Sequence, residues 1–143
     1  MESTTNIITV AQVIQQAVAP VFLLTGVGAI LNVLSGRLGR VIDRYRVLEN
    51  FTDDERGAYI TEIGNLLRRA RWIHWAISLC TVCALFICIV IAGLFIGSEL
   101  GKDPSGMVAA FFIAAMLALT AGLLCFVREI ALATGSIKIR RQT

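Results

Sequence analysis

The sequence predicts an all-α membrane protein with three transmembrane helices and a long antiparallel cytoplasmic helical hairpin between the first and second. Three observations predict it. Val10 to Ser35, Ile73 to Ser98 and Gly106 to Val127 carry no Asp, Glu, Lys or Arg, and each is long enough for the roughly 20 helical residues that cross about 30 Å of hydrocarbon. The chain of 143 residues is 57% hydrophobic, with mean hydropathy +0.77, above the level usual for soluble domains. The basic residues are also distributed unevenly. Arg37, Arg40, Arg44, Arg46, Arg56, Arg68, Arg69 and Arg71 lie between the first and second apolar stretches, and Arg128, Lys138, Arg140 and Arg141 follow the third, whereas Lys102 alone lies between the second and third. Basic residues in short loops stay cytoplasmic, so the N-terminus is expected outside and the C-terminus inside.

A single membrane domain over residues 1–143 is therefore expected, of net charge +3. Residues 9–35 form an amphipathic lead-in and the first span. Thr9 and Gln12 have capping-box spacing, and Val10, Val13, Ile14, Ala17 and Val18 share a face apart from Gln12, Gln15 and Gln16. Pro20 removes an amide donor and disfavours helical geometry at Ala19, which predicts a kink there, with the span proper over Val21 to Ser35. The stretch carries no basic n-region of a cleaved signal peptide and is expected to be retained. Residues 37–71 form the hairpin. Leu38, Val41, Ile42, Tyr45 and Leu48 extend the first helix; Asn50 and Phe51 break it; Thr52 with Glu55 reads as a second capping box. The stripe Tyr59, Ile60, Ile63, Leu66, Leu67, Ala70 and Ile73 then runs without a breaker into the second span, 73–98. Glu99 to Ser105, with Gly101 and Pro104, is a short external turn. The third span, 106–127, is followed by a basic cytoplasmic tail, 128–143, with fraying expected near Gly135.

Each candidate site has a functional and a packing reading. Arg37, Arg40 and Arg44 at the end of the first span suit an anionic lipid headgroup or another cytosolic anion, or else simple topology and ion pairing. Thr25 and Asn32 are polar points within the first span that line a wet path or bond to a neighbouring helix. Gly106, Ala110, Ala114, Ala118 and Gly122 form a ridge of small residues that lets helix backbones approach closely. Cys80 and Cys83 have C-x-x-C spacing, but no second pair completes a zinc site, and with Cys88 and Cys125 they read as reduced packing residues. His74 between Trp72 and Trp75 describes an interface anchor. No catalytic, cofactor-binding or metal site is expected. The chain has no H-E-x-x-H, G-x-S-x-G or phosphate-loop motif, and its single histidine leaves few general bases. No Asp, Glu, Lys or Arg lies mid-span, which argues against active transport.

The runs A-P-V-F-L-L-T-G (Ala19 to Gly26), L-N-V-L (Leu31 to Leu34) and R-L-G-R-V-I-D-R (Arg37 to Arg44) resemble a bacterial membrane family, domain of unknown function 2721. The likeness extends over nearly the whole chain. It implies a multi-pass protein of the bacterial inner, or plasma, membrane in which Pro20, Asn32 and the Arg37 to Arg44 run belong to the family pattern. It implies no activity. The leading expectation is a non-enzymatic, homo-oligomeric, channel-like or permeation protein. The alternative is a membrane scaffold or regulatory subunit that docks a cytoplasmic protein partner through the hairpin. The lipid bilayer is the expected environment, and no nucleic-acid partner is expected.

Overall fold

The computed structural model describes the backbone of residues 2–50, 53–101 and 104–140, and the side chains of residues 10–50, 59–101 and 104–134. These form three helices in chain order, α1 (Glu2–Glu49), α2 (Asp53–Leu100) and α3 (Ser105–Arg140). At 48, 48 and 36 residues they measure about 72, 72 and 54 Å at helical rise. Each includes a stretch long and apolar enough to cross a membrane, and each is much longer than a bilayer core requires.

The apolar stretches continue as helix into the charged segments, as the residue pattern predicts, because the three- and four-residue spacing of Leu38, Val41, Tyr45 and Leu48 carries the buried face of α1 onward. Two local expectations, at Thr9 and Gly135, change. Thr9 lies inside α1 and is not an N-cap, since extending an existing helix is cheaper than nucleating one. Pro20, where a kink is expected, lies inside the continuous helix α1; proline is tolerated within apolar spans when its surroundings satisfy the freed carbonyl. α3 passes Gly135 and reaches Arg140. Thr52, the cap expected for the second arm, and the side chains of Lys138, Arg140 and Arg141 lie outside the described residues.

The chain divides into two compact units, Met1–Ile30 with Cys80–Leu119, and Leu31–Leu79 with Thr120–Thr143. In the first unit the buried positions are Ala17, Pro20 and Val27 of α1, Cys80, Cys83, Ile87, Val90, Gly93 and Gly97 of α2, and Ala115 and Leu119 of α3. Their steps of three, four and seven residues mark the seam of coiled-coil packing. Cys80 and Cys83 thus occupy successive seam positions, and no disulfide joins the cysteines. Phe86 and Phe111 meet at 5.6 Å between ring centres, inclined at 57°, a tilted aromatic pair. Gly101, at φ +60°, ends α2 in the left-handed conformation. The chain then turns through Pro104, whose carbonyl accepts the Val108 N–H at 2.9 Å as the first bond of α3. The Pro104 ring lies against Gly97 with no room for a Cβ.

Much of the outward surface of this unit is apolar. Phe22, Leu85, Ile113 and Leu117 are exposed, Phe22 at 73%, which is far more exposed large apolar side chain than water tolerates but natural for lipid. In the second unit the seam comprises Leu34, Val41 and Leu48 of α1, Leu66, Ile73 and Ala76 of α2, and Gly122 and Glu129 of α3. One of these seam residues is a carboxylate.

Gly97→Val should destabilise the chain by about 1–3 kcal/mol through overpacking against Pro104. Gly26→Ala, whose new methyl would meet nothing within 4 Å, should be neutral or stabilising. Thermal unfolding in one detergent compares the two, and equal midpoints would show that the Gly97–Pro104 approach does not constrain the turn.

Candidate functional site

The ends of the three apolar stretches carry an ionic layer. Arg37 follows Ser35, Arg69 precedes Ile73 and Glu129 follows Val127, each at the edge of its stretch, so helical geometry alone brings each charge to the border of an apolar segment. In the second unit these three side chains meet. Glu129 is fully buried, at 0% exposure. Its Oε1 accepts from both Nη2 (2.9 Å) and Nε (3.2 Å) of Arg69, and its Oε2 lies 3.5 Å from Nε of Arg37 as an ion pair without a hydrogen bond. The two arginine side chains remain 25% and 27% exposed, so each reaches the protein surface while the carboxylate does not.

Removing a carboxylate from water costs several kcal/mol, and that cost is tolerable only with charged partners in place. Glu129 therefore ties α3 to α2 through Arg69 and to α1 through Arg37. The second tie is reinforced within α3 itself, because the Arg37 guanidinium also lies 5.4 Å from the Phe126 ring centre, and Phe126 and Glu129 are one helical turn apart. One turn along α2 from Arg69, Trp72 receives Arg128 at 5.5 Å from its ring centre. Further along the arms, Arg44 pairs with Glu62 at 2.9 Å. The Glu62 hydrogen bond, and then its charge, raises the Arg44 pKa above the ordinary value, so this guanidinium stays charged at any physiological pH. Being exposed, the pair contributes little to stability.

The arginines expected to hold an anion thus have different surroundings. Arg37 faces Glu129, Arg44 faces Glu62, and Arg40 is exposed. Asn32 is exposed on α1, whereas Leu34 beside it is fully buried. A Cβ added to Gly36 or Gly39 would meet nothing within 4 Å. In the first unit Thr25 is exposed and donates to the Val21 carbonyl at 3.2 Å, which satisfies its hydroxyl within α1. Of the small-residue ridge, Gly106 and Ala110 are exposed, Ala114 and Ala118 are half-buried, and Gly122 is buried.

Glu129 and Arg69 are the residues that sequence reasoning missed as a site. Glu129 was grouped with the basic tail because the apolar run ends at Val127. The signal was present in the steps Ala115, Leu119, Gly122, Phe126 and Glu129, which continue one helical face across that end.

Arg69→Met should destabilise the protein more than Arg37→Met, since it removes both hydrogen bonds to a fully buried carboxylate, and its cost should approach the roughly 3–5 kcal/mol of a broken buried pair. Denaturant unfolding in mixed micelles ranks the variants. Equal losses, or none, would show that Glu129 does not depend on these partners.

Comparison with curated proteins and with solved structures yields no match. The family described as "Protein of unknown function (DUF2721)" matches residues 17–139, a stretch that includes Asn32, the whole ionic layer and all the apolar stretches except the start of the first. The chain belongs to the DUF2721 family.

Proposed function

We propose that the protein is a non-enzymatic, homo-oligomeric, channel-like permeation protein of the bacterial inner membrane, with its N-terminus outside, its C-terminus cytoplasmic, and copies meeting along the face of α1 that bears Asn32. In this reading the charged arms of α1 and α2 form an antiparallel cytoplasmic hairpin. The Arg44–Glu62 pair between the arms supports that arrangement, as does the excess length of both helices over a bilayer.

The observation that carries the proposal is the open face at Asn32, Gly36 and Gly39. Glycine weakens a helix by about 1 kcal/mol against alanine, and nothing within the protomer needs the space in front of Gly36 or Gly39. An amide facing lipid is also costly. A second copy of α1 supplies a close-packing partner for the glycines, and either that copy or a file of water supplies partners for Asn32. Within the second unit Leu34, Ile73, Ala76 and Glu129 fill the seam at 0% exposure, so a wet path belongs between copies. Arg40, one turn beyond Gly36 on the same helix, remains available to an anionic headgroup.

A scaffold or regulatory subunit that docks a cytoplasmic protein is the second reading, and a specific feature favours it. Ile42, Val47, Ile60 and Leu67 are exposed on the charged arms, Ile60 at 67%, where the topology puts water.

Asn32→Leu should abolish solute flux in proteoliposomes without changing the mass of the assembly, and Gly36→Leu should reduce the assembly to monomer. A wild-type chain that is monomeric in mild detergents and nanodiscs would overturn the oligomer, and an assembled wild type without flux would overturn the path. Loss of a native partner on Ile60→Ser with Leu67→Ser, in that flux-silent assembly, would favour the scaffold.

A further inference from the structure

We infer that the protein holds an acidic phospholipid in a groove between α2 and α3, with the lipid phosphate between Arg71 and Arg128 and an acyl chain along Trp75 and Cys125. The inference needs only that the apolar stretches lie in lipid, and it stands whether or not the protein conducts.

The groove lies within the second unit. It measures about 240 Å³ and is lined by Arg71, Trp72 and Trp75 of α2 and Cys125 of α3. Its walls are almost wholly apolar. Trp75 is 56% exposed and Leu124, beside Cys125 in sequence, is exposed as well, so the trough is open to hydrocarbon along one side. Arg71 lines the groove, and Arg128, outside the lining, stacks on the Trp72 ring of its wall at 5.5 Å. Tryptophan rings favour the headgroup level of a bilayer, and the arginine-rich side is the cytoplasmic one by the positive-inside rule.

The charge balance favours an anion. The carboxylate nearest in sequence to Arg128, Glu129, is taken up by Arg69 and Arg37. Among the described residues neither Arg71 nor Arg128 has a carboxylate partner. Two planar guanidiniums beside an apolar trough suit a phosphodiester, which each can bind through paired N–H groups. An acidic lipid also satisfies the apolar part of the groove, which a free phosphate ion leaves uncovered. This site is distinct from the α1 arginines, where Arg37 and Arg44 already face carboxylates.

The chain has two tryptophans, and both line the groove, so intrinsic fluorescence reports on it directly. The full-length protein is reconstituted in phosphatidylcholine vesicles containing increasing fractions of phosphatidylglycerol or phosphatidylcholine brominated on the acyl chain. Brominated phosphatidylglycerol should reach half-quenching at a lower mole fraction than brominated phosphatidylcholine, by about fivefold for each arginine engaged. Arg71→Gln should remove part of that preference, Arg71→Gln with Arg128→Gln should bring the two lipids to parity, and Arg46→Gln should leave it unchanged. Equal half-quenching in the wild type would overturn the proposal. So would an equal loss with Arg46→Gln, which would mark a general basic field, and so would reversal by millimolar inorganic phosphate, which would mark a free-anion site.

Discussion

The buried carboxylate of Glu129 is the constraint from which the charged half of the molecule follows. A carboxylate with no exposure is costly to bury without partners, and its partners come from two other helices, Arg69 of α2 and Arg37 of α1. The three residues also sit at the ends of the three apolar stretches. A layer of charge at that level does two things at once: it fixes the axial register of the helices in the second unit, and it stops the apolar face of each helix from sliding deeper into lipid. Apolar seam residues resist separation, but they discriminate poorly between registers that differ by one heptad. An ionic contact at a single level discriminates strongly.

Lipid as solvent changes the meaning of exposure along these helices. Phe22, Leu85, Ile113 and Leu117 are exposed yet need no protein partner, because hydrocarbon covers them. The polar face of α1 has the opposite standing. Asn32 would be unremarkable on a soluble helix, whereas in a span it calls for a partner, and in the proposed assembly a second helix fills the open space at Gly36 and Gly39. The groove at Trp72 and Trp75 follows from the same change of solvent. In the inferred lipid site Arg71 of the groove wall and Arg128 stacked on Trp72 would meet the phosphate, since Glu129 already pairs with Arg69 and Arg37.

Much of the fold is legible in the residues because lipid imposes coarse rules. An uncharged run such as Gly106 to Val127 has few alternatives to a spanning helix, and the spacing of Leu38, Val41, Tyr45 and Leu48 carries α1 onward through its arginines. Gly101 and Pro104 mark the turn for local reasons of backbone geometry. Helix ends were harder to read. Thr9 resembled a cap and Gly135 a terminus, since both cues are local and weak against the extension of a helix already formed. The ionic layer was hardest, because composition treats Glu129 as one acid among basic neighbours. Its role depends on which face of α3 it occupies and on what α1 and α2 present there, and only tertiary structure supplies that.

The most direct test of the central claim is a charge exchange between α2 and α3. Glu129→Arg alone places three cations at one level and should prevent assembly of a folded protomer, measured as the fraction recovered as a monodisperse species with a cooperative melt. Adding Arg69→Glu restores a carboxylate facing cations from two helices and should recover most of that fraction. If the double variant is no better than the single one, the layer does not hold the helices in register and the account fails.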